Sequence, residues 1–178
     1  MLYGEKIVRK DLRKSDFIYS RISSRRVSLT TKGGRHMSFS VMVVVGDQNG
    51  VIGFGTGNAQ DAGTAEKKAL QDAQGNLFKI PLKRSKSESD TRYTIFTKSS
   101  GYCSGSRVDL FPAKPGTSMA CSSVVRDVCN AAGITDIVSK IHKSSNKGNV
   151  VRAVIDALVS TKTPMYYKTL LQKKVNHS

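Results

Sequence analysis

The chain has no tryptophan, four prolines, three cysteines and only 13 acidic residues among its 178. Cys103, Cys121 and Cys129 are odd in number, and none belongs to a Cys-x-x-Cys pair. A disulfide framework is therefore not expected, and reduced thiols suit a cytosol-like compartment. His36, His142 and His177 do not fall at zinc-ligand spacings from those cysteines. A cysteine–histidine pair brought together only by folding stays open. No apolar run approaches the roughly 18 residues of a membrane span. The opening residues lack the apolar stretch of a secretory signal, so export is not expected. Acids are scarce enough to disfavour catalysis: Asp47, Asp61 and Asp72 are the candidate carboxylates, and each suits a turn or a helix surface.

Nucleotide motifs are missing too. No G-x-x-x-x-G-K-[ST] occurs. Gly53-Phe54-Gly55-Thr56-Gly57 resembles a dinucleotide fingerprint, but Asn58 stands where the next glycine belongs. Those glycines read better as a tight strand-to-helix junction. No cofactor, metal or small-molecule substrate is implied.

What the chain has is positive charge. Lys and Arg number 29, and the net charge is +16. Such a surplus calls for an anionic partner. The cations are spread along the whole sequence rather than gathered on one amphipathic helix, which favours nucleic acid over membrane. Hydrophobic residues make up 38%, enough for a core or two small ones.

Patterning divides the chain. Residues 1–24 form a basic extension with Lys6, Arg9, Lys10, Arg13, Lys14 and Arg21. Phe17, Ile18 and Ile22 have roughly helical spacing and predict a short helix there. Residues 37–45 predict a strand with Phe39, Val41, Val43 and Val45 on one face, and Met42 and Val44 partly covered on the other. Residues 46–50 are a hairpin signal ending in Asn-Gly, and 51–54 are the return strand. Ala62, Ala65, Ala69, Ala73 and Leu77 give a small-residue stripe on a helix over 59–78. The polar run 83–92 (KRSKSESDTR) reads as a linker. Strands are expected at 93–96, 107–111 and 134–141. A helix over 117–132 is expected with Thr117 as its cap, and another after Asn149. The tail 162–178 is basic. The class is α+β in two small domains, 25–82 and 93–161.

Two segments suit phosphate. Lys32-Gly33-Gly34-Arg35 combines cations with exposed backbone N–H groups in a turn. Gly101-Tyr102-Cys103-Ser104-Gly105-Ser106-Arg107 combines hydroxyls, glycines and an arginine. Either alone could be a solvated loop.

Five ordered motifs resemble the universal S-five family of small-subunit ribosomal proteins. They are Lys32-Gly33-Gly34-Arg35-His36-Met37-Ser38-Phe39; Val44-Val45-Gly46-Asp47-Gln48-Asn49-Gly50 with Gly53-Phe54-Gly55-Thr56-Gly57; Gly105-Ser106-Arg107-Val108-Asp109-Leu110 with Pro112-Ala113; Gly116-Thr117 at the head of Gly116-Thr117-Ser118-Met119-Ala120-Cys121-Ser122-Ser123; and Asn149-Val150-Val151-Arg152-Ala153-Val154-Ile155-Asp156. They span roughly 25–160. The resemblance implies a double-stranded-RNA-binding-like N-terminal domain and a C-terminal domain of the type shared with translocases and small-molecule kinases. It implies a structural place in the small ribosomal subunit, in a bacterial-type cytosol or an organelle. The partners it implies are rRNA and the S-four and S-eight proteins, with no membrane. The expected RNA contacts are Arg25, Arg26, Lys32, Gly33, Gly34, Arg35, Gly55, Lys67, Lys68, Ser104, Ser106 and Arg107. Arg126 and Ser118 fall in the segment expected to meet the S-four protein, whose interface influences decoding accuracy. The family has glycine where this chain has Ser118, Ser122 and Ser123, which puts any contact needing positive φ there in doubt. A free-standing double-stranded-RNA-binding regulator is the alternative function, and a phosphotransferase on the C-terminal fold is disfavoured by the missing phosphate loop.

Overall fold

The computed structural model describes residues 17–86 and 91–166. The chain runs β1 (Ile18–Thr31), β2 (Gly34–Gly46), β3 (Val51–Ala59), α1 (Ala62–Gly75), β4 (Leu77–Lys79), β5 (Lys83–Lys86), β6 (Thr91–Thr94), β7 (Ser99–Cys103), β8 (Ser106–Pro112), β9 (Met119–Ala120), α2 (Ser123–Ala132), β10 (Ile137–Lys143) and α3 (Lys147–Val159). The first sheet is antiparallel, in the order β1-β2-β3-β4. The second is mixed, in the order β7-β8-β10-β9, with β9 parallel to β10. The expected α+β class holds.

The expected helix near Phe17 is instead part of β1. The pairing of β1 with β2 shifts register between Arg21 and Ser23. Ile22 is the extra residue of this bulge and is buried in the core. Ile18 and Ile22, four residues apart, fit a helix and an even strand period alike; the bulge turns Ile22 into the core while Ile18 stays exposed. β-Branched residues along the segment favour the strand. β1 also crosses the expected start of the N-terminal domain at 25.

The predicted face of β2 is where the pattern placed it. Val41, Val43 and Val45 pack with Ala65, Ala69 and Ala73 of α1. Gly55 and Gly57 of β3 lie under the same helix: a Cβ on Gly55 would overlap backbone at Ala69 and Ala73, and one on Gly57 would overlap Ala65. Glycine on the strand and alanine on the helix let the two backbones nearly touch. α1 is shorter than expected. Asp61 caps it by accepting from the Thr64 amide at 3.1 Å, and Leu77 leaves the helix to pair with Gly53.

The other face of the first sheet belongs to a core shared with the C-terminal half. Ile22, Val44, Ile52 and Phe78 join Val128, Cys129, Ala132, Val151 and Ile155 in one buried cluster. Arg152 of α3 lies over the Phe54 ring, 5.4 Å from its centre. The hairpin turn at 47–50 closes the joint. Asp47 organises it, its Oδ1 accepting from Asn49 and Val51 at 2.8 and 2.9 Å. Gln48 and Gly50 then donate their amides to the Ala131 and Ala132 carbonyls at 3.1 and 3.0 Å. A helix C-terminus leaves its last carbonyls without internal partners, and this turn supplies them. Gly46 permits the approach, because a Cβ there would overlap the Ala131 carbonyl.

Within 83–92, expected as a linker, Lys83–Lys86 and Thr91–Thr94 pair as a two-stranded ribbon. α2 begins after Ser122 rather than Thr117, because Met119 and Ala120 are drawn into a strand beside β10. Asn146, not Asn149, caps α3, accepting from the Gly148 amide at 3.0 Å. Most of the basic extension and the tail from 167 lie outside the described residues.

Candidate nucleic-acid interface

β1 and β2 outrun their neighbours. β3 pairs with β2 only as far as Phe39, while β1 follows β2 to the tip, where Thr31 pairs with Gly34. Residues 27–31 and 34–38 therefore project as a two-stranded arm, roughly 16 Å long at a strand's rise per residue. Lys32 and Arg35 are exposed at its tip, and Arg26 is exposed where it leaves the sheet. None has an ion-pair partner among the described residues. Lys32 and Gly33 form the turn, and Thr31 Oγ1 donates to the Gly34 carbonyl at 3.2 Å. Gly34 has φ +128° and needs to be glycine; Gly33 faces open space. Val27, Leu29 and Met37 are also exposed on the arm, giving it apolar as well as cationic surface.

Arg25 is exposed at the base of the arm. On α1, Lys67 is exposed, and Lys68 reaches the Asn58 carbonyl at 3.5 Å. These cations share the N-terminal half with the arm.

Two expected contacts need correction. Gly55 is buried beneath α1 and offers RNA no surface; it is required for packing. Ser106 is 2% exposed, and its Oγ donates to the Ser144 carbonyl at 2.7 Å. The Ser144 amide returns a bond to the Gly105 carbonyl at 3.1 Å. The Ser104–Ser106 turn thus staples itself to the segment leading into α3. Ser104 stays exposed, with φ +50°.

Arg107 is already partnered. Its Nε and Nη2 reach Asp109 at 3.0 and 3.5 Å, and its guanidinium lies 5.3 Å from the Tyr102 ring centre. His142 Nε2 approaches the same carboxylate at 3.2 Å. Burial pushes the Asp109 carboxyl up, but the Ser100 hydrogen bond, Arg107 and His142 outweigh it, and the group titrates below the usual carboxylate range. Arg107 is raised by its hydrogen bond and attraction to Asp109. Sequence reasoning missed this cross-strand cluster, although Arg107 and Asp109 two apart on a strand share a face.

The cysteines behave as packing residues. Burial drives the Cys129 thiol far up, with Cys121 adding to it. Burial also raises Cys121, outweighing its hydrogen bond with Arg126. Among the described residues no cluster of His, Cys, Asp and Glu could hold a metal, and no helix is long and apolar enough to cross a membrane.

The family model described as ribosomal protein S5, N-terminal domain, matches residues 19–81, and that for the ribosomal protein S5 C-terminal domain matches residues 101–170. The chain belongs to the ribosomal protein S5 family. One S5 relative is the small ribosomal subunit protein uS5 of Flavobacterium psychrophilum. It is 42% identical over 142 residues, which make up 80% of this chain and 77% of that protein.

The serines that replace expected S5-family glycines fare differently. Ser118 has φ +59°, so that position keeps the left-handed backbone without a glycine. Its amide donates to the buried Asp136 Oδ1 at 2.8 Å, which holds a conformation costing roughly 1–2 kcal/mol for a residue with a Cβ. Ser122 has φ −67° and occupies the N-cap position of α2 without a side-chain capping bond, while Ser123 is the first residue of that helix; neither needs glycine. Arg126 is exposed on α2.

Proposed function

We propose that this chain is a structural constituent of the small ribosomal subunit, which it serves by neutralising and shaping rRNA rather than by covalent chemistry. The observation that carries this reading is the pair of S5 domain matches in series on a chain of charge +16. The projecting arm supports it, because among the described residues its cations have no carboxylate partner, which leaves them to phosphates. Folded RNA is held largely through phosphates and 2′-hydroxyls, so base readout is not required. Arg25, Arg26, Lys32, Arg35, Lys67 and Lys68 make the phosphate contacts, and Gly33 and Gly34 let the backbone come close. The surface bearing Ser118 and Arg126 meets the S-four neighbour, and the S-eight protein abuts the chain. The protein works in the ribosome, in a bacterial-type cytosol or an organelle.

Co-sedimentation tests the reading. Tagged chain expressed in a bacterial host should migrate with small subunits at about one copy each in low-salt sucrose gradients. A chain that remains at the top of the gradient, bound to RNA or free, would favour the free-standing regulator.

A further inference from the structure

A cleft of about 630 Å³ opens between the bulged part of β1 and the segment entering α3, with Arg21, Ser24, Arg25, Ser145, Asn146 and Lys147 on its walls. The geometry points to this cleft as a seat for the rRNA sugar-phosphate backbone, gripped by both halves of the protein at once. The inference rests on the reading of the chain as an rRNA-binding ribosomal protein and names a second place of contact, away from the tip of the arm.

Charge decides the occupant. Among the described residues three cations line the cleft, two from the first sheet and one from α3, and no carboxylate does. Arg21 reaches Glu66 only at 3.8 Å and is 57% exposed on its side chain, so it can turn toward a stronger anion. Arg25 and Lys147 are exposed and have no ion-pair partner among the described residues. Hydroxyl and amide groups lie between the charges. Cations interleaved with neutral donors suit a chain of singly charged phosphodiesters with sugar hydroxyls between them. The positive end of α3 adds to the same field.

The walls are fixed by devices already described. The bulge at Ile22 anchors one wall in the shared core. Because of it, Ser23 and Arg25 fall opposite Met42 and Ser40 of β2. The other wall is held by Ser106, through its bond to the Ser144 carbonyl, and by the Asn146 cap. Buried Ser106 is therefore a positioning residue for the cleft rather than an RNA contact.

The test uses full-length chain and small-subunit particles reconstituted without their S5 protein. Affinity is measured from 50 to 300 mM KCl for wild type, for R21A/R25A/K147A and for a control, K79A/K114A/K140A, which removes equal charge elsewhere. Thermal melts check folding. The cleft variant should bind about a hundredfold more weakly near 100 mM and lose about two units of salt slope, at roughly 0.7–0.9 per phosphate contact. The control should change less than fivefold. In wild-type complexes, Lys147 should react with acetic anhydride at least tenfold more slowly than in free protein. Equal losses in both variants, or an unprotected Lys147, would overturn the cleft assignment. Failure of wild-type chain to bind the particles at all would instead defeat the ribosomal reading.

Discussion

Replacing Arg26, Lys32 and Arg35 together with alanine is expected to weaken binding to small-subunit particles lacking S5 by about two to three decades at 100 mM salt. Each phosphate contact contributes roughly 0.7–0.9 to the slope of log affinity against log salt, so three lost contacts remove about two units or more. The fold should not change. All three side chains are exposed, on or at the base of an arm that carries no core residues, and surface substitutions away from special features alter stability by about 0.5 kcal/mol or less. Filter binding across a salt series, with a thermal melt on the same preparation, checks both halves. A loss below about fivefold, or an unchanged slope, would remove the arm from the RNA interface. The arm's apolar residues belong to the same picture. A two-stranded ribbon is marginal in water on its own, and exposed Val27, Leu29 and Met37 would gain cover as it enters folded RNA.

Gly46→Val should have the largest effect on stability. The new side chain would collide with the Ala131 carbonyl, the place where the 47–50 turn supplies partners to the end of α2. Backbone cannot yield there without breaking both hydrogen bonds, so a cost of about 3 kcal/mol or more is expected. For a chain of this size that lowers the melting temperature by roughly 6–12 °C. Gly33→Ala is the matched control. Gly33 faces open space without positive φ and should shift the melt by no more than about 2 °C. Differential scanning calorimetry resolves a further point. Ile22, Val44 and Ile52 share one core with α2 and α3, so the halves should melt in a single transition in wild type and in the variant. A Gly46→Val protein as stable as wild type would show that the joint does not hold them.

The sequence was most legible where one pattern had one cause. The alternation of Val41, Val43 and Val45, the alanine stripe of α1 and the glycines of β3 each reflect a single packed interface; the first two were read as packing, and so were the glycines, except that Gly55 was also given an RNA contact that its burial does not allow. Patterns with two causes misled. Ile18 and Ile22, four apart, fit a helix as well as a strand, and the bulge at Ile22 left no clean alternation to decide between them. Thr117 looks like a cap, but the two-residue strand at Met119 and a hydrogen bond to distant Asp136 delay the helix. The polar run at 83–92 has no apolar signal, yet Lys83–Lys86 pair with Thr91–Thr94 as strands.

The candidate site divides the same way. The arm was legible because Lys-Gly-Gly-Arg is a local turn. The motif around Ser106 was recognised but given the wrong job, because its partner Ser144 lies 38 residues away. The cleft was not legible at all, since Arg25 and Lys147 meet only after two sheets have folded.

The most direct test is a cryo-electron-microscopy map of small subunits that carry this chain as their only S5 protein. The account predicts that the Arg26–Arg35 arm is embedded in rRNA, with Lys32 and Arg35 within about 4 Å of phosphate oxygens, and that the Arg25–Lys147 cleft holds backbone density. A map with the chain present but its arm and cleft facing solvent would contradict it.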